Sequence, residues 1–160
     1  MNGESDTMDR NMLLESAGRL KQATEASAAE YDAMRDSLVV RINERLLARE
    51  DIEFLVGPHN LAMMRDNHAN HARFIASILK FHNPEALLDT IVWVFRAYRS
   101  RGFHVNYWAA QLNAWMDVLK EMLSADAYAD ILPLYEWMQV NIPAFTALSG
   151  AAGEEQRSFG

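Results

Sequence analysis

The stretch NPEALLDTIVWVFRAYRSRG, residues 83–102, reads as one complete helix with both ends written into it. Asn83 is a good N-cap and Pro84 suits the first helical position, where its missing N–H costs nothing. Leu87, Leu88, Ile91, Val94, Phe95 and Tyr98 recur every three or four residues and form one apolar stripe. Gly102 fits the left-handed position past a helix end, and Arg96, Arg99 and Arg101 complement the helix dipole there, a role that outweighs an anion site.

The same rhythm extends in both directions. From Arg19 to Ser149 the glycines are Gly57 and Gly102 and the prolines are Pro58, Pro84, Pro133 and Pro143, so breakers are few and well spaced. Alternating β-branched runs are missing, which predicts an all-α chain. A first helical region is expected over about Asp6–Arg49, with Leu13, Ala17, Leu20, Thr24, Ser27, Tyr31, Met34 and Leu38 spaced as a heptad seam. Its middle is weak, so it is one long helix or two broken near Ala26–Ala29. A short apolar turn or helix at Asp51–Val56 precedes helices over about His59–Phe81, Pro84–Gly102, Val105–Leu123 and Ala125–Asn141. Pro133 is expected to bend the last of these and Pro143 to mark its exit. The organisation predicted is a disordered 1–7, a single domain over 8–145 of about six helices with a long N-terminal helical segment, and a flexible tail over 146–160.

Composition narrows the function classes. The chain has 160 residues, half of them hydrophobic, which suits one domain with a sizeable core. It has no Cys, so disulfides, thiolate metal sites and cysteine nucleophiles are excluded. A net charge of −7 works against binding phosphate backbones, and nucleic acid is not expected as a partner. The polar start lacks an apolar leader core and no long uninterrupted apolar run follows, so the reading is a soluble, cytoplasmic protein without membrane association.

No catalytic constellation assembles from the motifs. There is no H-E-x-x-H, paired Glu-x-x-His, G-x-S-x-G or phosphate-binding glycine loop, and Asp66 falls across the helix from His68 and His71. No metal site and no enzyme activity are therefore expected. His68, His71 and His82 share a stripe with Leu61, Met64, Ile75, Ile78 and Leu79, and such inward imidazoles more often fill a core than bind a ligand. If that helix lines a pocket, its walls are expected to be His68, His71, Ile75 and Tyr98, closed by Phe95, Leu112 and Trp115. Trp93 and Trp137 lie off their helices' stripes, so they are either sandwiched or at an interface, as Trp is enriched in anchors. With Leu13, Leu20 and Tyr31 of the seam they form the candidate surface for a homodimer.

From Asp89 the run DTIVWVFRAYRSRGFHVNYWAAQLNAWMDVLKEMLSADAYADILPLYEWMQ resembles the last three helices of a globin. Tyr98 to Phe103 resembles the corner after the proximal-histidine helix, and the position of the haem-ligating histidine is taken by Tyr98. By that resemblance the helix with His68, His71 and Ile75 is the distal wall, and Trp137 falls where globins often carry a Trp. A Tyr at the proximal place is closest to non-haem globin-like sensor domains, such as those of bacterial stressosome regulators, which are dimeric and keep the fold without cofactor. The helical layout is also similar to modules that precede cobalamin-binding domains. The resemblance implies a non-catalytic regulatory domain that acts through dimerisation and signals to a partner protein. The alternatives are a haem globin for a diatomic gas, with Tyr98, His71, His82 or His104 as candidate ligands, and a helical enzyme or small-ligand-binding protein.

Overall fold

The structure, a computed structural model, describes residues 2–159, with side chains described over 9–150. Among the described residues eight helices run α1 Asn2–Gly18, α2 Glu25–Leu47, α3 Ile52–Val56, α4 Leu61–Lys80, α5 Pro84–Arg99, α6 Asn106–Met122, α7 Ala125–Val140 and α8 Ile142–Phe159. No strand occurs among the described residues, so the chain is all-α. None of the described helices is long and apolar enough to cross a membrane.

Two of the eight are additions to the expected six. The N-terminal region breaks at residues 19–24, ahead of the anticipated Ala26–Ala29. Thr24, expected to be a weak seam residue, is the N-cap of α2, with its hydroxyl accepting from the Ser27 amide at 3.1 Å. The linker is tied down from two sides. Gln22 Nε2 donates to the Leu79 carbonyl at 2.6 Å while its Oε1 accepts from the His82 amide, and the Thr24 amide donates to Asp130. At the other end Pro143 does not close the chain's helices. It sits in the first turn of α8, where its lost N–H has no intrahelical partner to miss.

The tail expected over 146–160 therefore begins inside α8. Ser149 is buried and the Thr146 carbonyl accepts from Arg99 Nη2 at 3.3 Å. The side chains of 1–8 and 151–160 lie outside the described residues.

The interior ends written into the sequence behave as chemistry dictates. Asn83 Oδ1 accepts from the Ala86 amide with Pro84 at the first position, and Ser124 caps α7 through the Ala127 amide. Gly102 has φ 105°, two residues past the α5 C-cap Ser100. Gly57, at φ 89°, brings its backbone so close to the Gly102 carbonyl that a Cβ would stand 3.0 Å from that oxygen. Asn60 Nδ2 clamps these loops, donating to the carbonyls of Val56 and Arg101.

Packing divides the molecule into two layers. α2 lies across α4, α6 and α7, burying Tyr31, Leu38, Ile42 and Leu46. α5 packs on α8 and α1. Consecutive though they are, α4 and α5 are not among the closely packed pairs, and the gap between them holds a cavity. Pro133 lies inside α7, which continues through it to Val140.

Candidate functional site

The cavity has a volume of about 280 Å³ and is bordered by α4, α5, α6, Met138 of α7 and Phe145 of α8. Of the seven wall residues the sequence suggested, His71, Ile75, Phe95, Tyr98 and Leu112 line it. His68 and Trp115 do not: both are fully buried one layer deeper. The walls are strongly apolar. Phe95 and Trp108 stack with ring centroids 4.4 Å apart and planes 9° apart, and Phe145 meets Phe95 edge-on at 5.6 Å. Arg, Lys, Asp and Glu are absent from the lining.

One end of this apolar space is polar. Asn67, Asn70, His71, Tyr98 and Gln111 border it there, with Thr90 further along α5; the sequence reading missed Asn67, Asn70, Thr90 and Gln111. Their signal was present but faint: Asn67 and Asn70 share a helix with His71, and Gln111 precedes Leu112 on the broad apolar face of α6. Asn67 Oδ1 accepts from the Tyr107 hydroxyl at 2.7 Å and from Gln111 Nε2 at 3.0 Å. Burial raises the Tyr98 phenol pKa, with the Asn70 and Asn67 side chains pulling against that rise. Asn70, Trp93 and Tyr98 also border a second hollow with Met63, Asp66, Ala97 and Arg101.

Behind the cavity, buried polar groups pair with one another. His68 Nδ1 donates to Asn43 Oδ1 at 2.6 Å and Nε2 faces the Tyr107 hydroxyl at 3.0 Å. His71 Nε2 pairs with the Tyr135 hydroxyl at 2.8 Å, and that hydroxyl meets Tyr31 at 2.8 Å. Burial pushes His68 down to about 3, and burial plus the neighbouring His68 pushes His71 down to about 3. Both rings are neutral at physiological pH. Burial drives the phenols of Tyr31, Tyr107 and Tyr135 upward, so none ionises near neutrality.

The remaining candidates are dispersed. His82 Nε2 donates to the Ala17 carbonyl at 2.7 Å, and His104 lies against Phe54 with Nδ1 accepting from the Asn106 amide. Of the four haem-ligand candidates, His82 and His104 thus lie away from the cavity. His71 and Tyr98 border the cavity, but His71 Nε2 is taken by Tyr135, and a volume of about 280 Å³ falls at or below the lower end of ordinary ligand pockets, roughly 300–1,000 Å³. These residues do not fit a haem. No group of three or more metal-ligating side chains occurs among the described residues.

The suggested dimer surface also separates. Leu13 and Tyr31 are buried within the chain and Leu20 packs against its core. Trp137 is 7% exposed, with its indole N–H donating to Ser16 Oγ at 2.9 Å. The seam is consumed internally because α1 and α2 fold back onto their own domain. Trp93 alone of the five stands out, at 62% exposed.

Comparison with family models, with characterised proteins and with solved structures gives no match.

Proposed function

We propose that this chain is a non-catalytic regulatory domain that binds an apolar small molecule between α4 and α5 and reports its presence. The observation that carries this reading is the cavity itself, a volume bounded by aromatic and aliphatic walls with a few polar groups among them, the usual composition of a small-molecule site. Binding is favoured over turnover because the lining offers no charged group, and its imidazole is neutral and hydrogen-bonded away from any substrate. The helices that face each other across the gap are those the globin resemblance assigns to the distal and proximal walls, which supports a globin-like sensor without cofactor.

Calorimetric titration with naphthalene tests the reading. Saturable one-to-one binding is expected, with loss of binding in Val94→Phe, which fills the space from a half-buried wall position. Absence of heat in the wild-type protein, or unchanged binding in a folded Val94→Phe variant, removes it.

The regulatory reading includes a second subunit or partner protein, for which the exposed Trp93 beside the cavity mouth is the contact on offer. Light scattering at high concentration tests the homodimer. A strict monomer, with and without naphthalene, discards it.

A further inference from the structure

Tyr31, Tyr135 and His71 form a row that leads from the interior to the cavity. The Tyr31 hydroxyl meets the Tyr135 hydroxyl at 2.8 Å, and that hydroxyl meets His71 Nε2 at 2.8 Å. Both tyrosines are fully buried, whereas His71 is half-buried and borders the cavity. The two hydroxyls have no further hydrogen-bonding partner among the described residues, so their protons can be placed by counting.

Each hydroxyl has one proton to give. If Tyr31 donates to Tyr135 and Tyr135 donates to His71 Nε2, both protons find an acceptor. In the opposite order His71 donates to Tyr135 and Tyr135 to Tyr31, and the Tyr31 proton is buried with nothing to accept it. If Tyr31 and His71 both donate to Tyr135, the stranded proton is that of Tyr135. A buried donor without an acceptor is a costly defect, so the first order is the one the fold selects. Burial keeps His71 neutral, and a neutral imidazole accepts at one nitrogen and carries its hydrogen on the other. With Nε2 accepting, the hydrogen is on Nδ1.

Nδ1 points away from Tyr135 across the ring, and no group among the described residues accepts from it. It is not one of the unpaired polar atoms sealed inside the protein, because the open side of this half-buried ring is the cavity. The Trp115 indole, whose ring lies 4.7 Å from that of His71, is itself only a donor. The cavity wall therefore presents one N–H. The basic nitrogen stays with Tyr135, so the group facing the space is a donor and not a base.

We infer that the ligand is an uncharged aromatic molecule bearing a carbonyl oxygen, which accepts from His71 Nδ1–H while its rings lie among Phe95, Trp108 and Leu112. The inference rests on the binding role proposed above and specifies what is bound. A hydrocarbon of the same shape would shut the N–H away from any acceptor, which binding sites reject. A carboxylate would accept as well but would surrender its hydration in a lining without a positive charge. The parallel Phe95 and Trp108 rings favour an aromatic body, and about 280 Å³ suits one or two rings.

Calorimetry with 1-tetralone, tetralin and 2-naphthoate, together with the long-range 15N–1H spectrum of the imidazoles, tests the inference. 1-Tetralone is expected to bind about fivefold or more tighter than tetralin, which has the same shape without the oxygen, and 2-naphthoate to bind weakest. The spectrum should show His71 protonated at Nδ1, with that proton moving downfield on addition of 1-tetralone but not of tetralin. Tyr135→Phe removes the donor that fixes the tautomer, so in the folded variant the gap between 1-tetralone and tetralin should narrow to within about twofold. A wild-type His71 protonated at Nε2, or equal affinity for 1-tetralone and tetralin, overturns the carbonyl ligand and leaves the apolar cavity intact. Preference for 2-naphthoate overturns it in favour of an anion. Failure of all three to bind removes the binding role itself.

Discussion

Two polar clusters meet along α4, and they are built to opposite rules. In the inner one His68 Nδ1 donates to Asn43 and Nε2 shares the single Tyr107 hydroxyl proton with Asn67, while a chain runs from Tyr31 through Tyr135 to His71 at the cavity wall. In the outer one, a single turn away, Asn67 and Gln111 satisfy each other at one end and face a cavity with the other. A polar network enclosed on all sides fixes the packing of helices, whereas one beside a void is held from one side only. Chemical type does not separate the clusters, since the inner imidazoles look the more reactive in sequence. What separates them is the empty space, which borders Asn67 and Gln111 but not His68. The inner layer has one blemish, as the Trp115 indole N–H is buried without a partner.

The contrast is broken most directly by removing volume from each side. Trp115→Ala, in the packed layer, is expected to cost about 3–5 kcal/mol in urea unfolding, through lost transfer energy and the void left behind. Val94→Ala, on the cavity wall, should cost no more than about 1 kcal/mol, because that side chain already borders empty space. Comparable losses would mean that the two layers are equally packed.

Acid sharpens the same contrast. His68 and His71 fall to about 3 in the folded chain against about 6.5 when unfolded. Below that unfolded value the unfolded chain takes up protons that the folded chain refuses, so stability is full above about pH 6.5 and is lost as pH falls toward the folded values. The loss is at most about 1.4 kcal/mol per pH unit for each ring, or about 4 kcal/mol for both by pH 5. The outer amides do not titrate, so affinity for naphthalene should stay flat over the same range while the protein remains folded. A flat melting temperature between pH 7 and 5 would show that the rings are not held neutral by the fold.

How far these features were legible in sequence depends on whether a signal is local. The α5 ends were, because Asn83, Pro84 and Gly102 act through their own backbone geometry. The break before α2 was misplaced because Thr24 at a heptad spacing looks like core until its hydroxyl is seen capping Ser27. Pro143 was read as a stop when the residues after it supply a new helix, a distinction that rests on the tertiary contact with α5. His71, Ile75, Phe95, Tyr98 and Leu112 were found as cavity walls because a helical wheel places them on inward faces. Asn67 and Gln111 were not, since periodicity ranks a buried amide below its apolar neighbours and the pairing partner is 44 residues away.

The smallest stability effects bear most closely on the contrast. Tyr31→Phe removes one member of the saturated chain and leaves the Tyr135 hydroxyl with His71 alone, so a loss of about 1–2 kcal/mol is expected. Gln111→Met removes one member of the amide pair at the cavity, yet Asn67 Oδ1 keeps its Tyr107 donor and the methionine adds apolar surface to an apolar wall. The expected change is below about 1 kcal/mol in either direction. Urea unfolding of the two variants together decides the matter. If Gln111→Met costs as much as Tyr31→Phe, the outer amide is part of the scaffold, because a group kept for a ligand is one whose loss the unliganded fold barely registers.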